Sequence, residues 1–137
     1  MTVTYVHLKP GQDPLVLTTT ESKCVVVIED QVSDAWRNIL STWIVDCGCL
    51  YMMAWGKDCS AWDDSVDCAG LEKFDFEDGP PESLVMTTWH ENESLEEVFR
   101  FSKTHAEHPT VALMQTVILH IAAASREDEL LRMYEAA

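Results

Sequence analysis

Glycine-rich turns, paired cysteines and long apolar runs are all missing from this 137-residue chain. There are only five glycines, and neither G-x-G-x-x-G nor G-x-x-x-x-G-K-[ST] occurs. A dinucleotide-binding turn or a P-loop needs such glycines to bring backbone N–H groups up to phosphate, so neither is expected, nor any other cofactor. The five cysteines are odd in number and form no Cys-x-x-Cys, which rules out a zinc ribbon or finger. His-Glu-x-x-His and EF-hand patterns are also absent, so no metal site is expected. No apolar stretch approaches the roughly 20 residues that span a bilayer. The first ten residues, MTVTYVHLKP, lack the basic region and apolar run of a signal peptide. These absences predict a reduced, cytoplasmic, soluble protein. Basic residues are scarce too, nine against 24 acidic, for a net charge of −15. Such a surface repels nucleic acid and anionic membranes and attracts a basic protein.

What remains is the composition of a globular domain, 47% hydrophobic and 24% charged, and its length fits one domain over residues 1–137. CVVVIE (24–29) and CLYMMAW (49–55) are continuous apolar runs, the pattern of strands covered on both faces. SLVMTTW (83–89) and TVILHIA (116–122) read as further strands. Between them lie helical patterns. Val32, Trp36, Ile39, Leu40 and Trp43 recur at helical spacing behind Asp30 or Ser33 as cap, and Gly48 closes that helix. Ser60 with Asp63, and Ser94 with Glu97, have capping-box spacing. Ser125 is placed to cap a closing helix over 125–137. The core, residues 21–137, is therefore βαβαβαβα, an α/β domain with a mostly parallel four-stranded sheet and helices on both faces. Residues 1–20 form an N-terminal extension, with a strand over VTYVHL (3–8), a turn at KPGQD and a second strand over PLVLTT (14–19). It is expected to add antiparallel strands at an edge.

In open parallel sheets ligands bind beyond the carboxyl ends of the strands. Glu29 and Asp30, Lys57 to Ser60, His90 to Asn92, and Ser125 to Glu127 occupy that rim. WGKDCSAWDDSVD (55–67) is the most suggestive stretch. Cys59, at a helix start, is a candidate nucleophile, with His90 as base and Asp58 or Asp63 as orienter. Asp58, Asp63, Asp64, His90 and Glu91 are candidate ligands for a divalent ion. Each of these residue types also serves helix capping, and free cysteines are mostly small buried hydrophobes, so capping and packing explain the stretch better. His120 reads as a hydrogen-bonded core histidine, and His105 and His108 as helix C-terminal residues. Trp55, Trp62 and Trp89 would sit near the rim, as core packing or as anchors for a partner.

The segments AWGKDCSAWDDSVD, VMTTWHENESLEEVFRFSKTHAEHPTV and TVILHIAAASREDELLRMYE resemble a small bacterial domain family of unknown function, over roughly residues 20 to 137. The resemblance implies a bacterial, cytosolic, single-domain protein. It carries no assigned activity, so it transfers no functional residue. The charge then points to an acidic interaction module, an immunity-, antitoxin- or defence-accessory-like protein that binds a basic partner. Asp58, Trp62, Asp63, Asp64, Asp67, Trp89 and Glu91 are the expected contacts. A small hydrolase built on Cys59 and His90, or on a metal held by Asp58, Asp63 and His90, is the alternative. A homodimer closed through Leu130, Leu131, Met133 and Tyr134 is a further possibility for the last helix.

Overall fold

A computed structural model describes residues 2–15, 21–77 and 79–137. Among these residues five strands form one parallel sheet flanked by four α-helices. The chain runs β1 (Thr2–Leu8), β2 (Ser22–Ile28), α1 (Asp34–Asp46), β3 (Cys49–Gly56), α2 (Cys59–Glu72), β4 (Met86–Trp89), α3 (Leu95–Thr104), β5 (Gln115–Ile121) and α4 (Glu127–Ala136). A short 3₁₀ turn at Pro81–Ser83 precedes β4. The spatial order is β1-β5-β2-β3-β4. The expected α/β architecture holds, with one strand more than the four expected in the core sheet.

The central strand shows why its sequence is apolar throughout. All seven residues of β2 are buried. Cys24, Val26 and Ile28 pack into the layer formed with α1 and α2. Val25 and Val27 point the other way, into the layer formed with α3 and α4. Period-two alternation thus serves two cores at once. The larger cluster gathers Trp36, Leu40, Ile44, Met52, Trp62, Val66, Leu119 and Ile121; the other gathers Met53, Val98, Phe99, Ile118, Leu130 and Tyr134. Lys23, though only 3% exposed, stays in the sheet because its ammonium donates to the Ser102 carbonyl at the end of α3.

Several local expectations change. β1 is an edge strand, but it runs parallel to β5, Tyr5 opposite Ile118, and not antiparallel. The expected strand over 14–19 falls mostly on residues outside those described; Pro14 and Leu15 are not in a strand. Ser33 caps α1 by accepting from the Trp36 N–H, as spacing predicts, but Ile39 is 57% exposed and not part of the core stripe. Val32 packs on the core from outside the helix. The capping box of α3 is complete: Ser94 accepts from the Glu97 N–H and Glu97 accepts from the Ser94 N–H. By contrast α2 starts at Cys59 behind Asp58, so Ser60 lies inside the helix instead of capping it. Asp58 has φ of 54°, and the preceding Gly56 has φ of 109°. A Cβ on Gly56 would meet the Ile28 carbonyl oxygen at 2.1 Å, so only glycine lets the chain turn this close to β2. The last helix starts behind Arg126, without a side-chain cap from Ser125. Its Leu130 and Tyr134 are buried, and Leu131 and Met133 pack partly against the core, so these apolar groups are used within the chain.

Candidate functional site

The strand order reverses between β2 and β5: β2, β3 and β4 run one way across the sheet, and β5 returns to the other side of β2. The crevice rule therefore points to the carboxyl ends of these two strands. There a chain of polar groups crosses from the edge strand to α4. The Arg126 N–H donates to the Tyr5 hydroxyl at 3.0 Å. The Tyr5 hydroxyl and Nδ1 of His120 are 2.6 Å apart, and Nε2 of His120 lies 2.8 Å from the Glu29 carboxylate. A carboxylate only accepts, so Nε2 carries a proton; Nδ1 then accepts from Tyr5. Arg126 pairs in turn with Glu29 and, at 2.6 Å, with Glu129. Burial holds the fully buried His120 below its ordinary value despite the Glu29 charge, which opposes it. Burial alone would push the Glu29 carboxyl up, but the hydrogen bonds and charges of His120 and Arg126 outweigh it and hold it low. Beside this chain Ile28, Glu29, Trp55, Gly56, Lys57 and Arg126 line an open depression of about 540 Å³.

Sequence reading named Glu29 and Arg126 as rim residues and His120 as a hydrogen-bonded core histidine, which its two bonds make it. It missed Tyr5. Nothing local marks Tyr5; its partner His120 is 115 positions away.

The expected Cys59–His90–Asp63 constellation is brought to one region but not assembled. Cys59 is 3% exposed, and burial, with Glu91 adding to it, pushes its thiol up, away from the nucleophilic thiolate. The His90 imidazole is turned to other partners: Nε2 lies 2.9 Å from the Thr88 hydroxyl and Nδ1 bonds Glu93. Asp63 is 7% exposed; burial, with the charges of Asp64 and Asp67, raises its carboxyl above the ordinary range, against a hydrogen bond from Thr87. Among the described residues no group of three or more His, Cys, Asp or Glu side chains is gathered to hold a metal ion, so Asp58, Asp63, Asp64, His90 and Glu91 do not form a common cradle. Cys24, hydrogen-bonded to Cys49 and buried, likewise has its thiol pushed up.

The expected partner contacts divide. Trp62 is completely buried, edge-on to Trp36 with ring centroids 6.3 Å apart, and is core instead of an anchor. Asp63 beside it is inward too. Asp58, Asp64, Asp67 and Glu91 are exposed, and Trp89 is 52% exposed. Along α2 the outward positions are Ser60, Asp64, Asp67, Cys68, Leu71 and Glu72, a helical stripe in which acids lead to an apolar end. His108 is not a helix terminus. It is a buried loop hub that bonds the Leu84 carbonyl at 2.7 Å through Nε2 and accepts at Nδ1 from the N–H groups of Thr110 and Val111.

No helix among the described residues is long and apolar enough to cross a membrane. No significant match to a curated protein or to a solved structure was found. One family model spans nearly the whole chain, residues 3–137, and by that match the protein belongs to the family described as Domain of unknown function (DUF7684).

Proposed function

We propose that this protein is an acidic interaction module of the cytoplasm that binds a basic partner protein. The observation that carries this reading is the outward stripe of α2. Asp64 and Asp67 are exposed there, and among the described residues neither they nor Asp58 nor Glu91 takes part in an ion pair. Unneutralised acids on a rigid helix, in a chain of net charge −15, steer a cationic partner and fix its register. The hydrolase alternative has less support, because the thiol of Cys59 is buried with its proton held on and the His90 ring faces Thr88 and Glu93.

The test is co-purification at low salt from the native host, with wild type and the Asp64→Lys/Asp67→Lys variant in parallel, read by native mass spectrometry. A basic protein retained by wild type, released at high salt and lost from the variant supports the module. Equal retention by both proteins, or a solitary chain that turns over a substrate, sinks it.

A further inference from the structure

At the apolar end of the α2 stripe the chain builds a groove. Gly70 and Leu71 of α2 line it together with Phe74, Pro80, Leu84 and Val85, and Gly70 lies close against Val85. The groove holds about 390 Å³. Asp67 and Glu77 stand on its rim, and among the described residues no lysine or arginine lines it. Leu71 is 47% and Leu84 49% exposed, so apolar surface is open to solvent on both sides.

The groove is held in shape by its own backbone. Asp75 and Phe76 both take positive φ, 52° and 61°, which non-glycine residues adopt at a cost. The turn is closed by the Phe76 N–H donating to the Leu71 carbonyl at 2.8 Å. Gly79 lies against the Phe74 ring so closely that a Cβ there would come within 2.6 Å of it. Pro80 and Pro81 stiffen the far wall, and the 3₁₀ turn begins on them. A preformed apolar trough loses little entropy when filled.

We infer that this groove takes a short amphipathic segment of a partner protein, with neighbouring apolar side chains seated between Leu71 and Leu84 and flanking Lys or Arg side chains set against Asp67, Glu77 and the α2 acids. Two features select this occupant. The charged side chains that line it, Asp67 and Glu77, are both acidic, which complements cations, while the nearby Lys73 ammonium is turned to the Phe74 ring, 6.0 Å from its centroid. The groove is also continuous with the acidic stripe, since Asp67 and Leu71 belong to both, so one ligand can use charge along α2 and apolar anchors at its end. The recognition is of the helix-in-groove kind, with anchors at i and i+3 or i+4. The inference rests on the interaction reading and adds to it the place and chemistry of the anchor.

The experiment uses two synthetic fluorescein-labelled peptides of equal length and equal lysine content. In one, leucines recur at helical spacing; in the other glutamine replaces each leucine. Fluorescence anisotropy is measured with the full chain, with Leu71→Ser/Leu84→Ser and with Asp64→Lys/Asp67→Lys. Both leucines are already half exposed, and circular dichroism verifies that the variants fold. The leucine peptide should bind wild type about tenfold or more tightly than the glutamine peptide, and the serine variant should erase that advantage while leaving the glutamine peptide unchanged. Amide shifts at Gly70, Leu71 and Val85 should follow the leucine peptide only. Equal binding of the two peptides, or an advantage that survives in the serine variant, overturns the groove and leaves the acidic module standing. If neither peptide binds at low salt, or the lysine variant binds both as wild type does, the interaction reading falls and the groove with it.

Discussion

The two flanks of the sheet treat polar and apolar groups in opposite ways. On the β1–β5–β2 flank Tyr5, His120, Glu29, Arg126 and Glu129 answer one another in an unbroken chain, and the groups that face inward have partners. On the flank formed by α2, β4 and residues 74–77 and 79–85, Asp58, Asp64 and Asp67 take part in no ion pair among the described residues, and Leu71, Phe76 and Leu84 are exposed at 47%, 65% and 49%. Beneath them Nε1 of Trp62 and Oδ1 of Asp63 are buried with no hydrogen-bond partner among the described residues. A satisfied polar network rigidifies and specifies a fold. Unanswered charge beside apolar surface contributes little to folding and is suited to another molecule. The first flank therefore ties the edge strand and α4 to the sheet, and the outer face of the second, whose inner face is core through Trp62 and Val66, is the one we assign to recognition.

The sharpest way to break that contrast is His120→Ala. It removes a buried ring and leaves Tyr5 and Glu29 without their shared partner, so urea unfolding should show a loss of about 3 kcal/mol. A loss below about 1 kcal/mol would mean that the chain does not carry the first flank.

A smaller effect is pH dependence. His120 has its folded value below the ordinary 6.5 and Glu29 below the ordinary 4.5, so the unfolded chain binds protons more readily at both sites. The stability they add is complete above the unfolded values and is lost as pH falls below them. The wild-type urea midpoint should fall between pH 7 and pH 5, and His120→Gln should flatten that upper step. A variant profile parallel to wild type would assign the step to other groups.

Asp63 has the opposite sign. Its folded value is raised, so its charged form opposes folding at neutral pH, and protonation relieves this as pH falls. Asp63→Asn should raise the urea midpoint at pH 7, with a gain that shrinks toward the ordinary aspartate value of 3.8. A lower midpoint at pH 7 would show that the carboxylate is held by a stronger partner than Thr87. The smallest effect belongs to the outer flank. Asp64→Lys/Asp67→Lys should change stability by less than about 0.5 kcal/mol, because both side chains are exposed and, among the described residues, in no ion pair, whatever it does to binding. A large destabilisation would make the α2 stripe structural.

Where a signal is local, the sequence shows it. The run at 24–29 reads as a doubly covered strand, and Ser94 with Glu97 reads as a capping box, because each depends on residues within a turn or a pleat of one another. Where a contact is made at long range, local rules mislead. Ser125 has the right chemistry for a cap, but the start of α4 is held by Tyr5 taking the Arg126 N–H. Ser60 has the right spacing, but the close approach of Gly56 to Ile28 and the left-handed Asp58 begin α2 earlier. A turn signal at KPGQD suggests an antiparallel hairpin, but β1 takes its partner from β5. The candidate groove is the least legible part. Asp67, Leu71 and Leu84 read as a helix face and a loop, and only the fold sets them side by side.

The pairing of β1 with β5 has a consequence for the order of events during synthesis. Every other strand has a sheet neighbour that is close to it in sequence or already made. β1 has none until Gln115–Ile121 have been translated, and its bonds to them close a loop of more than a hundred residues. Such non-local pairing is slow and comes late in folding. The β2–α1–β3–α2–β4 portion can collapse first, with β1 waiting as an unpaired, strand-prone segment open to chaperones or to another nascent chain. Because Tyr5 then receives the Arg126 N–H, the docking of β1 and the start of α4 become one step, and this last step closes the molecule.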